Sequence, residues 1–325
     1  MSLSRTYDGP MPKLLLGGLV ALLAAGLLWP LAELALLVVA EGAGAAAFLT
    51  PYNLRAVGNT IVMGAVVALT ATVLGFVDGD KTPVLMVHGH PHTHVIWRKV
   101  APALAKDRKV ILVDLRGYGD SSKPESMPDH RPYSKREMAC DLQLMLQTLG
   151  IEQCDFVGHD RGGRVGHRFA LDWPERVRRL IFIDIAPTAT MYERTDKEFA
   201  TRYFWWFFLI QPEPFPEKLI NFDPEYFLRH HIRGQLKIEG SLEEAVFEEY
   251  LRSYRKPETI HAICEDYRAA ATIDLVEDKT DADKRIQAPL HLLWGARGTV
   301  GKLYDVVQTW RDKASVVSGR ALDCG

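Results

Sequence analysis

From about residue 80 onwards, short apolar segments alternate with longer segments of helical periodicity. Tyr133–Leu149 is the clearest helical segment, with apolar residues repeating on one face. The short segments have the length and composition of buried strands, and they are PVLMV at 83–87, KVILVD at 109–114, DFVG at 155–158, LIFIDI at 180–185 and PLHLLW at 289–294. Such alternation predicts an α/β fold, in which helices cover both faces of a mostly parallel sheet.

The alternation stops between Thr188 and about Asp281. This stretch is rich in aromatic residues and helix formers, and it contains no clear buried strand. We therefore predict a helical lid at about 188–281, inserted between two strands of the sheet.

The first 78 residues have a different pattern, with two long apolar runs. Leu14–Ala40 carries one charge, Glu33, and Ala56–Val77 carries none. Each run is long enough to cross a bilayer as a helix, although buried core helices of a soluble protein are the alternative. The expected organisation is a two-span transmembrane segment at 1–78 and an α/β domain at 79–325.

We expect the two spans to hold the chain in the inner membrane, and the flanking charges indicate their orientation. Arg5 and Lys13 precede the first span, so the positive-inside rule puts the N-terminus in the cytoplasm. Two crossings return the chain there, which predicts a cytoplasmic α/β domain. The stretch LTPYNLRAVGNTIVMGAVVALTATVLGF resembles the start of an ABC transporter permease, but it covers too few spans to form a transporter.

The segment Val157–Arg168 reads VGHDRGGRVGHR and joins a predicted strand to a predicted helix. This is the setting of a nucleophile elbow, in which a strained residue between two glycines presents its side chain at the sheet edge. Asp160 is that residue, and Gly158 and Gly162 leave room for the neighbouring backbone. The alternative is that Asp160 only caps the helix.

Two arginines, Arg161 and Arg164, follow Asp160 directly, and a guanidinium pairs with a carboxylate through two parallel hydrogen bonds. The net charge of -2 gives no indication of a nucleic-acid partner. The four cysteines have no metal-binding spacing and are expected to be reduced thiols. We therefore expect neither a metal nor a cofactor.

The motifs HGHPHTHVIW, VDLRGYGDSSKP, GHDRGGR, IDIAPT, QPEPFPEK and EDYRAAATID occur in this order, and together they resemble the haloacetate (fluoroacetate) dehalogenases of the α/β-hydrolase superfamily. The resemblance implies that Asp160 attacks the α-carbon of a small halogenated carboxylate and expels halide. It implies that Arg161 and Arg164 bind the substrate carboxylate. The backbone N–H groups of His90 and Arg161 would stabilise the oxyanion during ester hydrolysis, although the family usually has an aromatic residue where His90 stands.

The resemblance also assigns the acid of the triad and the halide site. Asp184, directly after the strand LIFI, matches the family's acid. Trp206 and Tyr267 match the halide-binding residues, together with Trp205, where the family usually has histidine. This difference puts the handling of fluoride in doubt.

The family's base is a histidine in a Gly-His-Phe-like turn after the last strand. Here the chain reads ALDCG and stops at Gly325, and none of its histidines matches that position. We expect a hydrolase fold that is incomplete at both ends, with its first strands replaced by the membrane segment. Such a chain would form the aspartyl ester but would not turn over.

Two other functions stay open. An epoxide hydrolase also uses an elbow aspartate, and lid tyrosines that protonate the epoxide are available as Tyr203, Tyr226, Tyr250, Tyr254 and Tyr267. Against it, that family usually has tryptophan where Arg161 stands. The other alternative is a non-catalytic, membrane-anchored protein that binds carboxylates. A homodimer of the hydrolase part is compatible with each function.

Overall fold

The structure is a computed structural model, and it describes residues 60–63, 69–74 and 81–324. Within these ranges, eight strands form one sheet in the order β1-β2-β4-β3-β5-β6-β7-β8. The strands are β1 (Thr60–Met63), β2 (Leu69–Leu74), β3 (Val84–Val87), β4 (Val110–Val113), β5 (Cys154–His159), β6 (Val177–Ile183), β7 (Leu290–Gly295) and β8 (Val317–Leu322). The pairs β1–β2 and β2–β4 are antiparallel, and the other five pairs are parallel. The predicted α/β fold with a mostly parallel sheet is confirmed.

Helices cover the sheet and build the lid. Those outside the lid are α1 (Ala101–Leu104), α2 (Lys135–Thr148), α3 (Arg161–Asp172), α12 (Thr299–Leu303) and α13 (Val306–Trp310). The lid consists of α4 (Thr188–Glu193), α5 (Lys197–Arg202), α6 (Trp205–Phe208), α7 (Phe215–Phe222), α8 (Pro224–Gln235), α9 (Glu244–Tyr254), α10 (Pro257–Ala271) and α11 (Ile273–Thr280). Three short 3-10 helices lie at His94–Trp97, Arg131–Tyr133 and Pro174–Arg176. The stretch from 188 to 280 is therefore helical, as predicted.

The second predicted span, Ala56–Val77, is wrong over the residues that the structure describes. Residues 60–63 and 69–74 are strands, and β2 pairs with β4 of the main sheet. A strand covered on both faces is as continuously apolar as a membrane span, and the β-branched residues of TIVM and LTATVL favour the strand. The sheet therefore has its two N-terminal strands, which corrects the expectation that the membrane segment had replaced them.

The first predicted span, Leu14–Ala40, lies outside the described residues. Within the described ranges, no helix combines the length and the apolar character that a membrane crossing requires. A cytoplasmic α/β domain required two crossings, and strands take the place of the second one at 60–63 and 69–74. The inner-membrane location stays a prediction.

The central strands bring three chain segments to one edge of the sheet. Every residue of β3 and of β4 is buried, which explains their uninterrupted apolar sequence. In the register of the sheet Val87 lies opposite Gly158, and His159 lies opposite Ile183. The residues that follow β3, β5 and β6 therefore meet at the carboxyl edge, where α/β proteins bind their ligands.

Candidate active site

Asp160 occupies the turn between β5 and α3, as the motif predicts. Its backbone has φ 44° and ψ −112°, a conformation that residues other than glycine rarely adopt. A Cβ atom on Gly158 would lie 2.6 Å from the Gly162 backbone, and one on Gly162 would lie 2.2 Å from the Val87 carbonyl oxygen. The strand, the turn and the helix therefore pack at a distance that only glycine permits.

Replacing Gly162 with alanine is expected to lower the free energy of unfolding. The new methyl group would have to displace the end of β3, and overpacking of this kind costs about 1–3 kcal/mol. The matched control is Gly234→Ala in α8, where a Cβ atom would have no neighbour within 4 Å. Helix propensity favours alanine there by about 1 kcal/mol. Urea unfolding should separate the two variants, and equal midpoints would contradict the packing argument.

The two carboxylate oxygens of Asp160 have different surroundings. Oδ2 accepts a hydrogen bond of 3.0 Å from the backbone N–H of His90, and Oδ1 lies 3.8 Å from Nε of Arg164. Burial raises the pKa of Asp160, but the charges of Arg161 and Arg164 outweigh it and hold this pKa below its usual range. Asp160 is therefore ionised at neutral pH, with Oδ1 free to attack and Oδ2 bound by the predicted oxyanion donor.

Arg161 is a buried cation whose hydrogen-bonding groups are unused. Its guanidinium lies 3.3 Å from Asp266, measured from Nε to Oδ2, and 3.5 Å from the ring centroid of Tyr267. All three of its nitrogens lack a hydrogen-bond partner. Asp266 balances the charge of Arg161, but the N–H groups of the guanidinium still lack acceptors, so this geometry favours a ligand that supplies them, such as a carboxylate.

Arg164 is anchored more firmly. Its Nη1 donates to the Ala186 carbonyl at 3.0 Å and to Oγ1 of Thr188 at 2.9 Å, while Nη2 contacts Sδ of Met191. Only Nε is unpartnered, and it is the nitrogen that faces Asp160. The structure therefore brings both predicted carboxylate-binding residues to the nucleophile, and Arg161 has the larger free donor capacity.

The predicted halide-binding residues come from the lid. The Trp206 ring lies 4.8 Å from the guanidinium of Arg164 and 6.2 Å from the ring of Tyr267. Trp205 is also buried, but it contacts His231, with 4.3 Å between ring centroids. Trp206 and Tyr267 thus contact the two arginines directly, whereas Trp205 packs against His231.

The tyrosines that could protonate an epoxide differ in burial and in distance from the site. Tyr226 is 71% exposed and lies outside the site. Tyr250 and Tyr254 are buried, and the hydroxyl of Tyr254 has no hydrogen-bond partner. Tyr203 packs on Trp205, with 5.0 Å between ring centroids. The ring of Tyr254 lies 6.3 Å from that of His90, and the ring of Tyr267 lies closer, at 5.4 Å.

Asp184 follows β6 directly and has a positive φ of 56°. Its Oδ1 is buried without a hydrogen-bond partner. Burial raises the pKa of Asp184, and the nearby His159 opposes this increase. Asp184 thus lies close to Asp160 and His159, but within the described residues no hydrogen bond joins a histidine to its carboxylate.

Two residues of the site were missed from the sequence. Asp266 is fully buried and contacts Arg161, Lys135 and the hydroxyl of Tyr118. It stands next to Tyr267 in EDYRAAATID, a segment already singled out, so its position was a usable signal. His231 lies in the lid with its Nδ1 unpartnered, and nothing in the local pattern marks it. Among the described residues, no group of three or more metal-ligating side chains is suited to hold a metal ion.

Comparison with known proteins agrees with this geometry. A family profile described as alpha/beta hydrolase fold matches residues 82–310, and the match leaves the permease-like segment without support. A fluoroacetate dehalogenase from Burkholderia sp is 43% identical over 236 residues, which are 72% of this chain and 77% of that protein. A soluble epoxide hydrolase from Corynebacterium sp. (strain C12) is 30% identical over 256 residues, 76% of this chain and 84% of that protein.

A solved structure is similar over most of the described chain. It comes from Salmonella enterica and is provisionally described as an acyltransferase. The two chains are 61% identical, with a TM-score of 0.78, and the match covers 80% of this chain and 85% of the other.

Proposed function

This chain belongs to the α/β-hydrolase fold family, and within that family we propose that it cleaves the carbon–halogen bond of haloacetates. The observation that carries the proposal is Arg161, a buried guanidinium without hydrogen-bond partners beside the nucleophile Asp160. A small carboxylate would supply the missing acceptors. The identity to a fluoroacetate dehalogenase supports the same substrate class.

In the proposed first step, the arginines hold the substrate carboxylate and turn its α-carbon towards Oδ1 of Asp160. Positioning of this kind lowers the barrier to in-line displacement. The new carbon–oxygen bond forms as the carbon–halogen bond breaks, and the halide leaves with the electron pair. The product is an ester of Asp160, whose carbonyl oxygen is Oδ2, beside the His90 N–H.

In the proposed second step, water attacks the ester carbonyl and glycolate leaves. The His90 N–H is placed to stabilise the developing oxyanion. A base must take the proton from water, and Asp184 must orient that base. Since no histidine among the described residues is hydrogen-bonded to Asp184, we propose that this step is slow in the chain of 325 residues.

Epoxide hydrolysis is the second candidate, favoured by the Corynebacterium relative and by the free, buried hydroxyl of Tyr254. An epoxide without a carboxylate would leave the N–H groups of Arg161 without acceptors, which ranks this reaction below the first. A third candidate is carboxylate binding without chemistry, which also uses Arg161.

Three probes separate these candidates. Chloroacetate should modify the peptide that contains Asp160, as measured by mass spectrometry, whereas chloroacetamide should not, because it has the same carbon–halogen bond but no carboxylate. Styrene oxide should also leave Asp160 unmodified. Modification by styrene oxide alone would favour an epoxide hydrolase. Binding of chloroacetate without modification would leave only the carboxylate-binding function.

A further inference from the structure

His231 is a lid residue that lies close to the nucleophile. It belongs to α8, and its side chain is buried, with 3% exposure. The ring centroid lies 4.3 Å from that of Trp205 and 4.8 Å from that of His90, both in edge contact. Since the His90 backbone N–H binds Asp160, His231 is separated from the nucleophile by a single residue.

The hydrogen bond of His231 fixes the position of its proton. The side-chain amide nitrogen of Gln235 lies 2.8 Å from Nε2 of His231. An amide nitrogen only donates, so Nε2 accepts and the proton resides on Nδ1. Burial lowers the pKa of His231 to about 4, so the ring is neutral at pH 7. Nδ1 is therefore an N–H donor, and it has no partner.

We propose that the Nδ1–H of His231 donates a hydrogen bond to the departing halide and thereby helps to select fluoride. This inference rests on the proposed dehalogenation. A buried donor without a partner is unfavourable, and a leaving halide would supply the missing acceptor. Asp160 forms its bond to carbon as the halide leaves with the electron pair, and the proton stays on His231. Fluoride gains most, because it is the strongest hydrogen-bond acceptor and the poorest leaving group among the halides.

The position of Trp205 supports this role. The buried indole of Trp205 on α6 packs edge-on against His231 of α8, with 4.3 Å between ring centroids. This contact holds the imidazole in one orientation beside His90.

The test measures the single-turnover rate of Asp160 modification by fluoroacetate, chloroacetate and bromoacetate, with the full chain and its variants. His231→Phe keeps a ring but removes the donor, and it should slow the reaction of fluoroacetate at least about tenfold relative to bromoacetate. His231→Asn places an amide where Nδ1 lies and should keep the wild-type selectivity. His231→Gln places its amide nearer to Nε2 and should not. His230→Phe, on the exposed side of the same helix, is the control.

The outcomes separate this inference from the function on which it rests. If none of the three haloacetates modifies Asp160 of the wild-type chain, the proposed function fails and the inference fails with it. If the wild type reacts but His231→Phe slows all three substrates equally, only the inference is overturned. If His231→Phe does not fold, the asparagine and glutamine variants decide. Equal fluoroacetate-to-bromoacetate selectivity in His231→Asn and His231→Gln would overturn the inference. Loss of that selectivity in His231→Gln alone would support it.

Discussion

Bromoacetate is expected to leave one stable ester on Asp160 of this chain, with little glycolate released afterwards. The displacement step needs an ionised carboxylate and a bound substrate, and both are provided by Asp160 and its two arginines. Ester hydrolysis needs an imidazole oriented by Asp184, whose Oδ1 has no partner. Loss of one triad member costs about three or more powers of ten in rate. A mass increase on the Asp160 peptide should therefore appear at one equivalent and persist.

The matched variant is Asp160→Asn, which should bind the substrate but form no ester. Extending the chain with a Gly-His-Phe-type turn and a closing helix should release glycolate, with one oxygen of Asp160 exchanged from labelled water. Steady multiple turnover by the unextended chain would show that another group serves as base. His159, which lies near both aspartates, is then the first residue to replace, and loss of turnover in His159→Asn would identify it.

Removal of the Arg161 guanidinium is expected to weaken carboxylate binding by about 2 kcal/mol or more, a change of roughly thirtyfold in Kd. The substitution Arg161→Met takes away three unpartnered nitrogens and leaves Asp266 paired with Lys135 and Tyr118. Calorimetry with glycolate, or with chloroacetate in the Asp160→Asn background, measures the change.

Arg164→Ala is expected to weaken binding by about the same amount, because it removes Nε beside the nucleophile as well as a buried charge. Arg202→Ala is the control, since Arg202 is an exposed lid residue paired only with Glu198. If the affinity stays unchanged in both Arg161→Met and Arg164→Ala, the two arginines do not bind the substrate carboxylate.

The part of the site that follows from local sequence was predictable. Gly158, Asp160 and Gly162 define the elbow through their spacing, and the structure places each at the expected point of the turn. The position of Asp184 was predictable because the residue after a central parallel strand lies at the carboxyl edge of the sheet. These inferences need only the alternation of strands and helices and the steric freedom of glycine.

The remainder depends on contacts between distant segments. Asp266 pairs with Arg161 across the lid boundary. Its place beside Tyr267 marks it as a candidate site residue, but a single aspartate in a helix does not indicate which distant residue is its partner. His231 shows no local signal for the same reason. The error over Ala56–Val77 has another cause, since an uncharged apolar run satisfies both a bilayer and the interior of a covered sheet. Only the pairing of β2 with β4 distinguishes the two.

The ion pairs of Asp266 join the lid to the helices that cover the sheet. Asp266 on α10 pairs with Lys135 of α2, and Lys135 also lies 3.2 Å from Asp274 of α11. Lifting α10 would expose Arg161, Asp266 and Lys135 to water at once and separate charges held in a dry interior, which costs several kcal/mol. Helix α7 is tied to α10 as well, because Glu217 accepts hydrogen bonds from Arg268. The floor of the proposed carboxylate site is therefore assembled before a ligand arrives, so binding has few additional groups to order.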